Sequence, residues 1–132
     1  MALVCAFRCY VSPAGVDEIR AWYEQQPKKV RGKFLSRLKT LGQLPMNSWQ
    51  LPPFRWLHGE CHPLGEVRFE VLKVQHRPLG FRVGERTFTL TIVAQEKSNR
   101  FVPRTACSDG LTRKAEIEGD RRRSHECWLK LE

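Results

Sequence analysis

Apolar and polar residues alternate along the central third of the chain, in three consecutive segments. These segments span residues 66–74, 76–83 and 87–97, and they are rich in Val, Phe, Ile and Thr. A period of two with this composition is typical of half-buried strands. Residues 84–86 form a short turn that begins with Gly84, a residue that tolerates positive φ. The pattern therefore predicts three antiparallel strands.

The first third of the chain predicts a strand followed by two helices. Residues 4–11 alternate loosely and indicate the strand. Ser12 is a suitable N-cap and Pro13 a suitable first helical residue, so a first helix is expected from there to about residue 25. Pro27 opens a second helix and Gly42 ends it. The apolar face of this second helix is formed by Val30, Phe34, Leu38 and Leu41.

The remaining segments are a proline-rich loop and a charged tail. Residues 44–63 contain four prolines and predict an irregular loop with a short edge strand at 54–57. The tail predicts a helix that starts near Ser108 and Asp109 and is weakened in its middle by Gly119. The expected fold is a single α+β domain over residues 1–132. It consists of an N-terminal strand, a helical hairpin, an antiparallel sheet of three to four further strands and a C-terminal helix.

The charge of the chain points to an anionic partner. Lys and Arg number 23 against 14 Asp and Glu, which gives a formal net charge of +9. Such an excess favours a polyanion, either a nucleic acid or an acidic protein. A basic protein without an anionic ligand is the alternative. No run of eighteen apolar residues predicts a membrane span, and the N-terminus does not have the pattern of a signal peptide.

The cysteines and histidines do not form a recognisable metal motif. Five cysteines, an odd number, lie at irregular spacings, so reduced thiols in the cytoplasm are expected rather than disulfides. Zinc sites usually contain a close pair of ligands, and only Cys5 and Cys9 come near that spacing. We therefore expect no metal and no other cofactor. The residues considered and rejected as further ligands are Cys61, His62, Cys107, His125 and Cys127.

Basic residues recur on the predicted strands and on one face of the second helix. A twisted sheet can gather such strand cations into one concave basic face. The strand cations are Arg68, Lys73, Arg77, Arg82 and Lys97. The helix cations are Lys28, Lys29, Arg31, Lys33, Arg37 and Lys39, with no acidic residue among them. Two interpretations of the helix remain open, a solvated face and a binding surface.

Nucleophilic triads and nucleotide-binding glycine loops are not recognisable in the sequence. Gly80 and Gly84 lie in the wrong context for a dinucleotide-binding fingerprint. His76, which is next to Arg77 in a predicted strand, is the histidine that belongs to a plausible site. The others are expected at the surface or at caps.

The predicted order of a strand, two helices, a sheet and a C-terminal helix resembles the RelE/ParE superfamily of type II toxins, especially its phage-associated HigB-like branch. Residues 64–69 (LGEVRF) are similar to the sequence motif of one strand in the family. Residues 76–81 (HRPLGF) are similar to the motif of the strand that follows it. Residues 88–97 followed by FVP at 101–103 are similar to its last strand. These phrases cover about a third of the chain and occur in the order of the family.

The resemblance implies a ribosome-dependent endoribonuclease that cleaves mRNA without a metal. In such members the 2′-hydroxyl of one nucleotide attacks the adjacent phosphate, and preplaced cations stabilise the dianionic transition state. On the matching positions, Arg68 and Arg77 hold the phosphate and Lys97 stabilises the developing charge. His76 stands where the family has a tyrosine and is a candidate base. Glu66 is a second candidate base, although a salt bridge to Arg68 explains it more simply.

The same resemblance implies partners and leaves alternatives open. RNA-binding roles are expected for the remaining cations, Lys73, Arg82, Lys28, Lys29, Lys33 and Arg37. A toxin of this type acts on mRNA at the ribosome and pairs with a cognate antitoxin, expected to be a small helix-turn-helix protein. One alternative is a ParE-like topoisomerase poison. The other is a non-toxic phage nucleic-acid-binding protein that uses the same basic sheet.

Overall fold

A computed structural model describes residues 3–131, within which three α-helices and eight strands form a mixed α+β structure. This confirms the α+β class predicted from the sequence. Three single turns of 3₁₀-helix complete the regular structure of the described residues. In chain order the elements are β1 (Ala6–Tyr10), α1 (Glu18–Glu24), α2 (Lys28–Gly42), β2 (Phe54–Trp56), β3 (Gly65–Val67), β4 (Phe69–Val71), β5 (Val74–Val83), β6 (Thr87–Lys97), β7 (Arg100–Val102), α3 (Ala106–Gly119) and β8 (Ser124–Glu126).

The strands form one sheet built around the long hairpin of β5 and β6. Its order is β2-β3-β5-β6-β1-β8, with β4 paired to β5 and β7 paired to β6. β1 runs parallel to β6, and the other pairs are antiparallel. The sheet is therefore mixed and has more strands than the sequence pattern predicts.

Apolar side chains cover both faces of this sheet. The larger core lies under α1 and α2 and includes Phe34, Phe88 and Leu90. A smaller core, which contains Leu79 and Ala106, lies under α3. The expectation of a half-buried sheet with one open polar face is therefore wrong, because α3 covers the second face.

A bulge in β6 divides its apolar residues between the two cores. Leu79 pairs with Ile92 but Gly80 pairs with Leu90, so Thr91 is the extra residue. Its hydroxyl donates a hydrogen bond to the carbonyl of Leu79 (3.2 Å). Apolar residues before the bulge pack in the core under α1 and α2, whereas Ile92 packs in the core under α3.

The second helix agrees with the sequence pattern and the first does not. α2 runs over Lys28–Gly42 and buries the predicted apolar face. α1 begins only at Glu18, where the side chain of Asp17 accepts a hydrogen bond from the backbone N–H of Arg20. Ser12 instead caps a turn, since its hydroxyl accepts a hydrogen bond from the backbone N–H of Val16. The prediction of a helix start at Ser12 is therefore wrong.

The predicted strand 66–74 is broken twice. At Arg68 the backbone N–H donates a hydrogen bond to Pro53, and this separates β3 from β4. Leu72 and Lys73 then form the turn into β5, with φ values of 51° and 68°. Lys73 consequently lies on a turn rather than on a strand. This turn and the β6–β7 turn at Ser98 lie at the same end of the sheet, which we call the turn end.

The tail after β7 contains a strand that the charged sequence of the tail does not predict. α3 begins at Ala106, two residues before Ser108, and Gly119 is its last residue rather than its middle. β8 then pairs antiparallel with β1. Among residues 3–131, no helix combines the length and the apolar character needed to cross a membrane.

Two disulfide bonds fasten the tail and the loop to the rest of the fold. Cys9 of β1 bonds to Cys127, which follows β8, and Cys61 bonds to Cys107 at the start of α3. Cys5 is the remaining thiol and is buried. The expectation of reduced thiols is therefore wrong for four of the five cysteines. Sequence spacing conceals both pairs, because they are separated by 118 and 46 residues.

Thiol counting tests these bonds. The protein denatured without reductant should expose one thiol, from Cys5, whereas the reduced protein should expose five. Loss of the Cys9–Cys127 bond through Cys9→Ala with Cys127→Ala should lower the free energy of unfolding by about 4 to 5 kcal/mol, because the bond closes a long loop. Cys5→Ser leaves both bonds intact and serves as the thiol-counting control. Five reactive thiols in the untreated protein would contradict the assignment.

Candidate functional site

Five charged side chains meet on the α3 side of the sheet, towards its turn end. We call this group the arginine–glutamate cluster, and its members are Arg55, Glu66, Arg68, Arg77 and Glu96. They come from β2, β3, β5 and β6 and from the break between β3 and β4. Strand pairing positions them, since Arg55 pairs with Glu66 across β2 and β3.

Glu66 is the buried centre of this cluster. Its side chain has no exposed surface, and its Oε1 lies 2.5 Å from Nη1 of Arg68 and 2.9 Å from Nε of Arg55. A carboxylate removed from water requires such charge-assisted partners to remain ionised. The predicted salt bridge between Glu66 and Arg68 is therefore confirmed.

Arg77 is held inside the protein by all three of its guanidinium nitrogens. Its Nε donates to Oε1 of Glu96 (3.0 Å), its Nη1 to the carbonyl of His76 (2.9 Å), and its Nη2 to Oε1 of Gln75 (3.0 Å). The Arg77 side chain is 3% exposed. Arg77 thus positions Glu96 but does not reach solvent.

Arg55, Arg68 and Glu96 form the accessible part of the cluster, and the Arg55 side chain is 50% exposed. Nη1 of Arg68 lies 3.9 Å from Oε1 of Glu96, and each side chain is 23% exposed. Three arginines against two glutamates leave one positive charge in the cluster. This arrangement presents a proton acceptor beside a guanidinium group, the pair of groups that phosphate-transfer chemistry uses.

His76 lies on the opposite face of the sheet. Its ring stacks on Phe69 with centroids 5.1 Å apart and meets the edge of Trp22 at 6.2 Å. Burial, and after it the positive charge of Arg77, lowers the pKa of His76 below its usual value. His76 as a whole residue is 3% exposed, and the sheet separates its imidazole from Arg68 and Glu96. The structure does not bring it to the cluster.

The other strand cations also lie outside the cluster. Lys97 follows Glu96, and successive strand residues point to opposite faces, so its side chain leaves β6 on the other side. Lys73 is at the turn end. Arg82 is near the far end of β5, where its Nε donates to the carbonyl of Gly84 (2.7 Å). Of the predicted catalytic set, Arg68 and Arg77 meet, whereas His76 and Lys97 do not join them.

The cationic face of α2 remains free of ion pairs within the described residues. Burial lowers the pKa of Arg37 from its usual value, and the Nε of Arg37 has no hydrogen-bond partner within residues 3–131. The exposed members of this face include Lys28, Lys29 and Lys33. These side chains give the solvent-exposed surface of α2 a positive electrostatic potential.

The sequence pattern misses Arg55, Gln75 and Glu96 as members of the site. Arg55 could be found from the predicted edge strand at 54–57, because pairing that strand with the next one places an arginine opposite Glu66. Nothing in the sequence around Glu96 predicts its place in the site. The bulge at Thr91 determines which face of the sheet Glu96 occupies.

Comparison with known proteins identifies no relative. No protein-family model, no curated protein sequence and no solved structure matches this chain.

The cluster predicts unequal effects of its two central arginines on stability. Arg77→Ala should lower the free energy of unfolding by about 3 to 5 kcal/mol, because it removes the cation that contacts Glu96 at 3.0 Å and leaves the carbonyl of His76 and the side chain of Gln75 without their donor. Arg68→Ala should have a smaller effect, since Arg55 still pairs with Glu66. Urea unfolding measures both, with the exposed Arg122→Ala as control. Equal stability of the Arg77 and Arg122 variants would contradict the structural role of Arg77.

Proposed function

We propose that this chain is an endoribonuclease that cleaves RNA through attack of a 2′-hydroxyl on the adjacent phosphate. The observation that carries the proposal is the accessible pair of Arg68 and Glu96 on a basic protein. The pair supplies a base and a cation within one phosphate-sized area. Arg77 and Glu66 hold this pair in place from beneath.

Glu96 and Arg68 each have a defined role in this chemistry. Glu96 accepts the proton of the 2′-hydroxyl as the oxygen attacks phosphorus. Arg68 stabilises the two negative charges of the phosphorane, which a guanidinium fork binds through two hydrogen bonds. The bond to the 5′-oxygen then breaks, and the leaving oxygen takes a proton from solvent water. The products are a 2′,3′-cyclic phosphate and a 5′-hydroxyl.

This assignment alters the one that the family resemblance implies. The base becomes Glu96 instead of His76, because His76 is buried on the other face. Arg77 becomes a positioning residue. The cations of α2, with Lys73 and Lys97, remain proposed contacts for the RNA backbone, which predicts binding that weakens steeply with salt.

The toxin context is a further part of the proposal. The order of one strand, two helices, a sheet and a late helix supports a RelE/ParE-like protein with an antitoxin partner. The two disulfides argue against action on ribosomes in the cytoplasm, where thiols are kept reduced. We therefore propose cleavage of RNA that does not require the ribosome.

A second candidate function is RNA binding without cleavage. It is favoured by the neutralisation of the arginines, since each of the three pairs with a glutamate. Such a protein would use α2 for binding and the cluster only to hold its sheet together.

Cleavage assays on purified protein test the proposed enzyme. Glu96→Gln and Arg68→Ala should each lower the cleavage rate of a single-stranded RNA by roughly 10²- to 10³-fold, because each removes one transition-state contact. The matched controls are Glu118→Gln and Arg122→Ala, which change exposed residues outside the cluster. Binding to RNA should persist in all four variants. Equal rates for Glu96→Gln and Glu118→Gln would refute the site.

Induced expression in a bacterial host whose cytoplasm allows disulfide bonds to form tests the toxin context. If the protein cleaves mRNA in the cell, growth and translation should stop on induction, and Glu96→Gln should restore both. Primer extension on cellular mRNA then reports where cleavage occurs. Cuts in the codon register would show that the ribosome is required. DNA-damage signalling without cuts would support a topoisomerase poison instead.

A further inference from the structure

The turn end of the sheet carries an exposed leucine that the fold does not use. Leu72 is 74% exposed, the highest value among the exposed large apolar side chains of residues 3–131. It occupies the first position of the β4–β5 turn. Its side chain belongs to neither core. Packing in the two cores therefore does not explain an apolar side chain at this position.

The backbone at Leu72 is also unfavourable for leucine. Leu72 and Lys73 have consecutive positive φ values of 51° and 68°, a geometry in which two-residue hairpin turns prefer Asn and Gly. The neighbouring β6–β7 turn has small polar residues at the equivalent positions. Ser98 and Asn99 also have positive φ values there. Because this backbone geometry disfavours leucine and neither core contains it, the exposed side chain is available for contact with a ligand.

Exposed cations occupy both turns at this end of the sheet. Lys73, Lys97 and Arg100 are exposed at the same end and form no ion pair within residues 3–131. The carboxylate of Glu70 is engaged by the side-chain amide of Gln75. The two turns belong to neighbouring hairpins, which places their centres about 10 Å apart. The turn end thus combines one exposed leucine with exposed cations on two neighbouring turns.

We propose that the turn end binds RNA, with Leu72 packed against an unstacked base and Lys73, Lys97 and Arg100 on the flanking phosphates. Apolar side chains that insert between bases beside cations are a known mode of nucleic-acid contact. The inference rests on the proposed function for its ligand, RNA, but not on cleavage.

The position of the turn end connects it to the cleavage site. Lys97 directly follows Glu96, and Gln75, which holds Arg77, pairs with Glu96 across β5 and β6. Glu96 therefore lies one residue from the turn end along β6, and an RNA strand that crosses from the turns to the α3 face of the sheet can reach it. The bound substrate is single-stranded at this point, because its base must leave the stack.

Leu72→Asn separates recognition from folding. Asparagine is favoured at this positive φ, so the variant should melt at the same or a higher temperature than the parent. It should bind RNA about tenfold more weakly, because it loses one base contact. The probe is a 2′-O-methylated RNA oligonucleotide that contains 2-aminopurine and cannot be cleaved. Its fluorescence should rise on binding the parent, which unstacks the base, and much less on binding the variant.

Leu44→Asn is the matched control, since it removes an exposed leucine after α2, at the other end of the molecule. Lys73→Gln should reduce the slope of log affinity against log salt by about one. Equal affinities for the parent, Leu72→Asn and Leu44→Asn would overturn the inference while leaving cleavage at Glu96 intact. Selective weakening in Leu72→Asn supports it even if no RNA is cleaved. Failure of the parent to bind RNA would overturn it together with the proposed function.

Discussion

A carboxylate with no exposed surface persists in a sheet only where cations reach it, and Glu66 is such a group. Its partners come from several strands, so pairing of the glutamate and assembly of the sheet depend on each other. Arg55 and Arg68 contact it directly, and Arg77 approaches within 4.0 Å. The same strands carry the two cores that lie on either side of the sheet. The arginine–glutamate cluster is therefore the polar continuation of the core under α3.

This constraint decides which charges remain for a ligand. Arg77 is fully engaged inside the protein, whereas Arg55, Arg68 and Glu96 keep part of their surface. A buried layer that fixes accessible charged groups is the arrangement that preorganised sites require. The cations of α2 and of the turn end, which form no ion pair within residues 3–131, lie outside this layer. In the proposed function they supply long-range attraction for RNA without disturbing the pairs in the sheet.

The sequence predicts the parts of this fold that local pattern controls. The spacing of Val30, Phe34 and Leu38 predicts α2, and the alternation around Phe88 predicts β6. Features that depend on distant contacts escape it, such as the disulfides and the break at Arg68, which is caused by a hydrogen bond to Pro53. Within the site, adjacent residues suggested the salt bridge of Glu66 and Arg68. The assignment of His76 failed to anticipate that it lies on the opposite face from its neighbour Arg77.

If Glu96 and Arg68 promote attack by a 2′-hydroxyl, as proposed, the ends of the RNA products carry the signature of that attack. Mass spectrometry of a short RNA incubated with the purified protein identifies those ends. We expect fragments with a 2′,3′-cyclic phosphate and a 5′-hydroxyl, and no cleavage where the attacking 2′-hydroxyl is methylated. Fragments with 3′-hydroxyl and 5′-phosphate ends, or an RNA left intact, would contradict it.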